Sequence, residues 1–152
     1  MNQTQQTILY AEDESSDAFF LERALRRAGV PQRLVVVPDG QAAIDYLQDI
    51  TSNGHDLDML PALVLLDLNM PGISGFEVLQ WIRSTPGFES LVTVIFSSSE
   101  HPSDVRAAYA LGANGYLVKP CTIDDAATMA KQFKDHWLKL DVVSLSPASW
   151  SI

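Results

Sequence analysis

Five short apolar runs alternate along the chain with stretches whose apolar residues recur at helical spacing. The runs are Ile8–Ala11, Leu34–Val37, Leu63–Leu66, Val92–Phe96 and Gly115–Val118. Near-continuous apolar strands that alternate with helices are typical of a parallel sheet covered on both faces. We therefore expect an α/β fold with a doubly wound, five-stranded parallel sheet of the flavodoxin-like type, which binds ligands at the carboxyl ends of its strands.

Polar residues at the expected helix starts supply capping signals. Ser74 and Glu77 are spaced as a capping box, in which each side chain satisfies a backbone donor of the other residue. We expect Ser103 to cap the helix after the fourth run, and Thr122 and Asp125 to cap the last helix. The last helix should bury one face, made of Ile123, Ala126, Ala130, Phe133 and Trp137.

The length of 152 residues predicts a single domain, with a core at about residues 7–137 and a C-terminal extension over 138–152. The formal net charge of −9 argues against nucleic-acid binding, which needs Lys and Arg to displace counterions from phosphates. The polar start lacks the apolar stretch of a signal peptide, and no apolar run approaches the roughly 20 residues that span a bilayer. Cys121 is the only cysteine, so no internal disulfide is possible. These features predict a cytoplasmic protein without membrane contacts.

Charged and polar residues stand where the apolar runs end. Glu12 and Asp13 follow the first run, Asp67 the third, Ser97 the fourth and Lys119 the fifth. Because the carboxyl ends of parallel strands meet at one edge of a sheet, we expect these groups to converge on one cleft. Two like charges about 4 Å apart repel by about 4 kcal/mol at an effective dielectric near 20. A hard divalent cation, Mg²⁺ or Mn²⁺, would offset that repulsion in a site made of oxygen ligands.

Each of these residues also has an ordinary structural explanation. A single Asp at the end of a strand is more often a turn residue, and acids before a helix usually favour its dipole. Ser97 would satisfy its own backbone, and Lys119 would be a solvated charge. Four strand ends that carry suitable chemistry in one place favour a functional site over four separate explanations.

Four stretches resemble the receiver domain of two-component response regulators. They are Ile8–Asp13, Leu65–Phe76, Val94–Ser99 and Leu111–Pro120, and the resemblance runs from about Thr7 to Phe133. The run Asp-Leu-Asn-Met-Pro-Gly with a downstream Lys-Pro is specific when both occur together. The resemblance implies the receiver fold, and a regulator that accepts a phosphoryl group from a sensor histidine kinase and signals by a conformational switch. It implies no enzyme activity beyond the protein's own phosphorylation and dephosphorylation.

The resemblance also implies which residues hold the metal and the phosphoryl group. Asp67 is the implied phospho-acceptor. Asp13 and Asp67 are implied as direct ligands of Mg²⁺ or Mn²⁺, with Glu12 acting through water. Asn69 is implied to give its backbone carbonyl to the metal.

Three further residues take implied roles in stabilising and sensing the phosphoryl group. Ser97 is implied to hydrogen-bond it, and Lys119 to supply the positive counter-charge. Tyr116 is implied as the aromatic rotamer switch, which fills the space that Ser97 leaves. Family members often have a cis peptide before the position of Pro120, and we carry that expectation over.

Two departures point to a subgroup of the family. The loop Thr51–Leu60 is longer than the shortest family connection, and Leu138–Ile152 continues past the usual end of the last helix. Together they resemble the stand-alone regulators that partner cyanobacterial-type phytochrome kinases. We therefore hypothesise a phytochrome-like sensor histidine kinase that docks on the first helix, with Phe19 or Phe20 as an apolar anchor. The alternative is that these rings belong to the core.

Apolar residues near the end of the chain predict a homodimer. They are Trp137, Leu138, Leu140, Val142, Val143, Leu145 and Trp150. Exposed together, they would form a larger apolar patch than soluble monomers usually tolerate. We expect a dimer on the face of the fourth helix, fifth strand and last helix, extended by residues 138–152. The alternative is that this segment folds back over its own domain.

Other function classes share parts of this pattern. Magnesium-dependent nicking or primase-type domains use a second acid where this chain has Asn69. Haloacid-dehalogenase-type phosphatases carry an Asp-x-Asp pattern after the first strand, which is absent here. A flavin-binding module needs a phosphate loop where Glu12 and Asp13 would repel the ligand. A phosphate-independent scaffold of the same fold is the strongest alternative, and the acids, Ser97 and Lys119 weigh against it.

Overall fold

A computed structural model gives the architecture of residues 6–52 and 59–137. The strands are β1 (Thr7–Ala11), β2 (Arg33–Val37), β3 (Leu63–Leu66), β4 (Thr93–Ser97) and β5 (Gly115–Val118). The helices are α1 (Ser15–Arg27), α2 (Gly40–Ser52), α3 (Gly75–Ser84), α4 (Pro102–Ala110) and α5 (Ile123–Gln132), and α5 continues as a π-helical turn over Phe133–Trp137. Each predicted apolar run therefore contributes one strand, and helices connect the strands.

The five strands form one parallel sheet in the order β2-β1-β3-β4-β5. Ile8 of β1 lies opposite Leu34 of β2 on one side and Leu63 of β3 on the other. The chain thus builds outward in one direction from β1 to β2 and in the other direction from β3 to β5. This confirms the doubly wound, flavodoxin-like fold, and it makes the carboxyl ends of β1 and β3 the switch point where ligands are expected.

Side chains from the two faces of the sheet form two apolar layers. Tyr10 and Phe96 belong to the layer that includes buried residues of α1 and α5, such as Phe133. Their chain neighbours Leu9 and Ile95 belong to the opposite layer, with residues of α2, α3 and α4. Because successive strand residues point to opposite faces, a strand that is covered on both sides needs an apolar residue at almost every position.

The helix caps agree with the sequence at two helices and differ at a third. At α3, Ser74 N donates to the Glu77 carboxylate at 2.8 Å and Glu77 N donates to Ser74 Oγ at 3.3 Å, which confirms the capping box. At α5, Thr122 Oγ1 accepts from Asp125 N at 3.0 Å. The prediction that Ser103 caps α4 is wrong, because α4 begins one residue earlier, at a proline whose fixed φ suits the first helical position.

The apolar face of α5 is shorter than the sequence pattern predicted. Ala126, Ala130 and Phe133 are buried, as expected. The prediction is wrong for Ile123, which is 65% exposed. It lines a surface groove between α1 and α5 rather than packing on the sheet. The side chain of Trp137 lies outside what the structure describes.

The peptide bond before Pro120 is trans, so the expected cis peptide is wrong for this chain. The trans form is the usual state of an X-Pro bond, favoured by about 0.5–1 kcal/mol. The Lys119 amide keeps its place in the sheet, because Lys119 N donates to Ser97 O at 2.8 Å. The side chain of Lys119 is therefore positioned by the end of β5.

Predictions on the C-terminal extension 138–152 and on the middle of the loop Thr51–Leu60 fall outside the described residues. Thr51 and Ser52 themselves belong to the end of α2. Among the helices in the described ranges, none has the length and apolar character that crossing a membrane requires.

Candidate functional site

The ends of β1, β3 and β5 place three charged residues at one edge of the sheet. Glu12 continues the ladder past β1, since its amide donates to Val37 O at 2.9 Å. Asp67 follows β3, and its amide donates to Ala11 O at 3.3 Å. Lys119 follows β5 in the same way. These backbone hydrogen bonds fix where each side chain leaves the sheet, so the convergence expected from the sequence is present for Glu12, Asp67 and Lys119.

Three carboxylates gather at this edge. Ligand oxygens of Glu12, Asp13 and Asp67 all lie within 4.8 Å of one another. Glu12 and Asp67 are buried, whereas Asp13 is exposed at the mouth of the cluster. An oxygen-only set with one solvent-facing member fits a hard divalent cation that keeps part of its water shell. The residues present are therefore suited to hold Mg²⁺ or Mn²⁺.

Glu12 is held in place by three donors. Its Oε1 accepts from Tyr10 Oη at 2.7 Å and from Lys119 Nζ at 2.5 Å, and its Oε2 accepts from Glu14 N at 3.0 Å. Burial raises the pKa of Glu12, but these hydrogen bonds outweigh it and hold the pKa below its usual value. Both oxygens are already engaged, which agrees with a carboxylate that acts on a cation through water rather than as a direct ligand.

Tyr10, which the sequence pattern places only in the first apolar run, also belongs to this cluster. Its ring is fully buried against Phe96, and its hydroxyl is the donor to Glu12. Burial, followed by the hydrogen bond to Glu12 and then its charge, raises the pKa of Tyr10 well above its usual value. A polar tip on an otherwise apolar strand residue was the available signal. It was weak, because Tyr is common in strands.

Lys119 is the cationic centre of the cluster. Its ammonium contacts Glu12, Asp17 at 2.9 Å and Asp67 at 3.0 Å. Burial lowers the pKa of Lys119, yet the three carboxylates outweigh burial and raise it above its usual value. Asp17 was not predicted from the sequence, because an acid in the first turn of a helix is ordinarily explained by the helix dipole.

Asp67 lies between two donors. Its Oδ2 accepts from Lys119, and its Oδ1 accepts from Asn69 N at 3.3 Å. The side chain is almost fully buried, and burial raises the pKa of Asp67, with Lys119 opposing that effect. Gly75, the first residue of α3, packs so closely on the Asp67 backbone that a Cβ at this position would collide with the carbonyl oxygen. A glycine is thus needed where α3 approaches the end of β3.

The predicted switch residues Ser97 and Tyr116 meet at the loop between β4 and α4. Ser97 is fully buried, and its Oγ accepts from Ser99 N at 3.1 Å. Tyr116 is also buried, and its hydroxyl donates to Ser99 O at 3.0 Å. Ser99 Oγ in turn donates to Asp104 at 2.6 Å, in the first turn of α4. Ser99, to which the sequence pattern gives no role of its own, therefore joins both switch candidates to α4.

Comparison with protein families identifies one match. The family described as "Response regulator receiver domain" matches residues 8–131. Among curated proteins, the probable methanogenesis regulatory protein FilR2 of Methanothrix harundinacea is 35% identical over 131 residues, which cover 86% of this chain and 83% of that protein. The response regulator Rcp1 of Synechocystis is 32% identical over 132 residues, which cover 87% of this chain and 88% of Rcp1.

Solved structures agree with the sequence comparison. The phosphorylated cyanobacterial phytochrome response regulator RcpA has a TM-score of 0.78 at 31% identity, covering 89% of this chain and 95% of RcpA. The Mn²⁺-bound form of Rcp1 has a TM-score of 0.75 at 31% identity, covering 93% of this chain and 99% of Rcp1. The similarity thus extends over sheet and helices alike, and it includes relatives whose structures carry a phosphoryl group or a divalent metal.

Proposed function

The chain belongs to the response regulator receiver domain family, and from that membership we propose that Asp67 is the residue that accepts the phosphoryl group. The observation that carries the assignment is the position of its carboxylate. Oδ2 of Asp67 lies 3.0 Å from the Lys119 ammonium, within the acidic cluster formed with Glu12 and Asp13. A buried carboxylate with a cation on one side and a metal-type cluster on the other is suited to attack phosphorus.

The transfer requires little covalent chemistry from the protein. A carboxylate oxygen of Asp67 forms a bond to phosphorus while the bond from phosphorus to the imidazole nitrogen of a phosphohistidine breaks. The electron pair of the broken bond stays with the imidazole, which takes up a proton. Lys119 balances charge on the phosphoryl oxygens, because transfers of this kind depend mainly on positioning and electrostatic stabilisation.

Glu12, Asp13, Asp67 and the backbone carbonyl of Asn69 are the groups that would hold a divalent metal, which we propose to be Mg²⁺. Such an ion supplies neutralisation of charge on the transferring group. Support comes from the three convergent carboxylates and from the Mn²⁺-bound form of Rcp1. Asp13 is the exposed carboxylate of the cluster, so it is the acid that could bind an arriving metal ion first.

We propose that Ser97 and Tyr116 relay the phosphorylated state. Phosphorylation adds about −1.5 to −2 charge and three strong acceptor oxygens. In the unphosphorylated arrangement the Ser97 hydroxyl accepts from the Ser99 amide, and Tyr116 donates to the Ser99 carbonyl. Movement of Ser97 toward the phosphoryl oxygens would release one of these contacts and allow Tyr116 to reorient, which changes the start of α4. The protein would in this way act as a signalling domain whose own catalysis is limited to gaining and losing its phosphoryl group.

For the partner, we propose a phytochrome-like sensor histidine kinase in the cytoplasm. The similarity to RcpA, which is described as a cyanobacterial phytochrome response regulator, supports that class. Exposed aromatic rings on α1 support docking there: Phe19 is 62% exposed, and Phe20 is partly exposed beside it. The two rings border a groove of about 570 Å³ between α1 and α5, whose rim carries Arg23 and Lys131. The groove therefore combines apolar rings with basic side chains, although the protein as a whole is acidic.

A homodimer on the face of α4, β5 and α5, extended by residues 138–152, stays part of the proposal. Its support is the apolar content of that extension. Light scattering on the full chain and on a truncation after Lys139 tests it. A full chain that stays monomeric at tens of micromolar, with and without a phosphodonor, would contradict the dimer.

The phospho-acceptor assignment is tested by intact mass. Wild type, Asp67→Asn and the surface control Asp49→Asn are incubated with acetyl phosphate and Mg²⁺. Wild type and the control should gain the mass of one phosphoryl group, and Asp67→Asn should gain none. An equal gain in Asp67→Asn would show that another residue is the acceptor.

A further inference from the structure

The three hydrogen-bond donors of the Lys119 ammonium face three carboxylates. These are Glu12 at 2.5 Å, Asp17 at 2.9 Å and Asp67 at 3.0 Å. Two of these acceptors, Glu12 and Asp67, also belong to the acidic cluster suited to a divalent cation. Asp17 stands outside that cluster, on the first turn of α1. Of the three acceptors, Asp17 is therefore the one that is not a candidate metal ligand.

We infer that Asp17 is a positioning residue for phosphoryl transfer, which keeps the Lys119 ammonium beside Asp67 when a divalent cation and the incoming phosphoryl group would compete with Lys119 for Glu12 and Asp67. The inference rests on the proposed role of Asp67 as acceptor. Asp17 does not touch the reacting atoms and acts through Lys119 alone. Its attachment to a helix, rather than a loop, gives the ammonium a fixed anchor.

The surroundings of the Lys119 side chain make such an anchor necessary. Its ammonium ends a flexible four-carbon stem, which has many rotamers to lose. A cavity of about 30 Å³ lies beside it, bordered by Asp17, Phe20 and Pro120. That space is enough for a water molecule, and it would let the ammonium turn away from Asp67 if Asp17 did not hold it. The position of the charge, not only its presence, depends on Asp17.

A purely structural role for Asp17 is the competing explanation. An acid in the first turn of α1 interacts favourably with the helix dipole whether or not Lys119 is present. The Asp17 side chain is 45% exposed, so solvent screens both effects. The two explanations differ in one respect: positioning disappears when Lys119 is removed, and the dipole effect does not.

The experiment measures the first-order rate constant of phosphorylation at saturating acetyl phosphate and Mg²⁺. We expect Asp17→Asn to lower it by about threefold to tenfold, since misplacing a group by a fraction of an ångström is enough for such losses. Asp17→Glu, which keeps the charge, should recover part of the rate. The matched control is Glu22→Gln, which removes the same charge from α1 at an exposed pair with Arg26 and should leave the rate unchanged.

A double-mutant cycle separates positioning from a structural role. In a Lys119→Ala background, adding Asp17→Asn should change the rate constant by less than the single Asp17→Asn change in wild type. An equal loss in both backgrounds overturns the inference in favour of a structural role. A rate for Asp17→Asn equal to or above wild type also overturns it, while phosphorylation of Asp67 itself still stands. If wild type gains no phosphoryl group on Asp67, the proposed function fails first, and this inference falls with it.

Discussion

The ammonium of Lys119 lies 3.0 Å from the carboxylate of Asp67, although 52 positions separate the two residues in the chain. The parallel sheet produces this contact, because β3 and β5 deliver both residues to the same edge. The positive charge of Lys119 offsets the cost of burying the ionised carboxylates of Glu12 and Asp67. The same ammonium can then balance the negative charge that an incoming phosphoryl group adds to the site.

Removing that ammonium should destabilise the metal-free protein. Lys119→Ala leaves Glu12 and Asp67 buried without their cation, and we expect a loss of about 2–3 kcal/mol in the free energy of unfolding. This is below the range for a fully buried pair, because the Lys119 side chain keeps 15% exposure. Mg²⁺ should restore part of the loss by replacing the missing charge. Urea unfolding with EDTA and with Mg²⁺ measures both effects, and the exposed Lys131→Ala serves as control. Equal stability of Lys119→Ala and wild type in EDTA would contradict the expectation.

Substitution of the buried hydroxyl should separate phosphorylation from its structural consequence. Ser97→Ala removes the acceptor of the Ser99 amide but leaves the acidic cluster intact. We expect it to be phosphorylated, with a much smaller change in amide hydrogen exchange around Tyr116 than wild type shows on phosphorylation. Exchange measured with and without acetyl phosphate decides the point. The same response in Ser97→Ala and wild type would remove Ser97 from the relay.

Tyr10 should make the stability of the protein fall at alkaline pH. A raised pKa in the folded state means that the folded protein keeps the Tyr10 proton after an unfolded chain, with a pKa of about 10, has lost it. This contribution is complete below about pH 10 and is lost as pH rises above it. Tyr10→Phe should therefore show a shallower loss of stability above about pH 10. It should also be about 1 kcal/mol less stable at neutral pH, because Glu12 loses a donor.

Chemical unfolding at a series of pH values measures the Tyr10 effect. Tyr46→Phe is the control, since Tyr46 lies on α2 and is only partly buried. A parallel decline in wild type and Tyr10→Phe above about pH 10 would show that the pKa of Tyr10 is the same in the folded and the unfolded protein.

The sequence predicted the strands and the acidic edge because both depend on local patterns. Apolar runs of four or five residues identify strands buried on both faces, and a polar residue directly after such a run lies at the sheet edge. The roles of Asp17 and Tyr10 in the cluster could not be predicted, because each residue has a sufficient local explanation. Asp17 is an acid in the first turn of a helix, and Tyr10 is an aromatic residue in a strand. Only the packing of α1 against α5 and the sheet shows what they contact. The prediction for Ile123 was wrong for a related reason, because helical spacing identifies a face of a helix but not the element that covers it.

Arg83 should contribute strongly to stability at the amino ends of β4 and β5, which lie at the opposite end of the sheet from the site. Its guanidinium donates to the carbonyls of Gly112, Leu91 and Glu89 and to Asn114 Oδ1, at 2.7–3.1 Å. Arg83 is half-buried, and this burial lowers the pKa of its guanidinium. Arg83→Met should cost about 3 kcal/mol, because several charge-assisted hydrogen bonds are lost together.

Arg26→Met is the matched control for Arg83, since its exposed pair with Glu22 should be worth under about 1 kcal/mol. Urea unfolding gives both values, and phosphorylation of Asp67 should continue in folded Arg83→Met. A cost no larger than that of Arg26→Met would show that the network around Arg83 adds little.

Phe19 should matter for transfer from a kinase and not for transfer from a small donor. Its ring is exposed on α1 beside the basic rim of the groove, so Phe19→Ser removes an apolar anchor at little cost to the fold. We expect the rate of phosphotransfer from a phytochrome kinase to fall about tenfold, the loss of a typical aromatic anchor, with the rate from acetyl phosphate unchanged. Met59→Ser is the control, because Met59 is 60% exposed and lies outside that groove. An unchanged kinase rate in Phe19→Ser would exclude this ring from docking, and a fall in both rates would mean that the substitution disturbs the site itself.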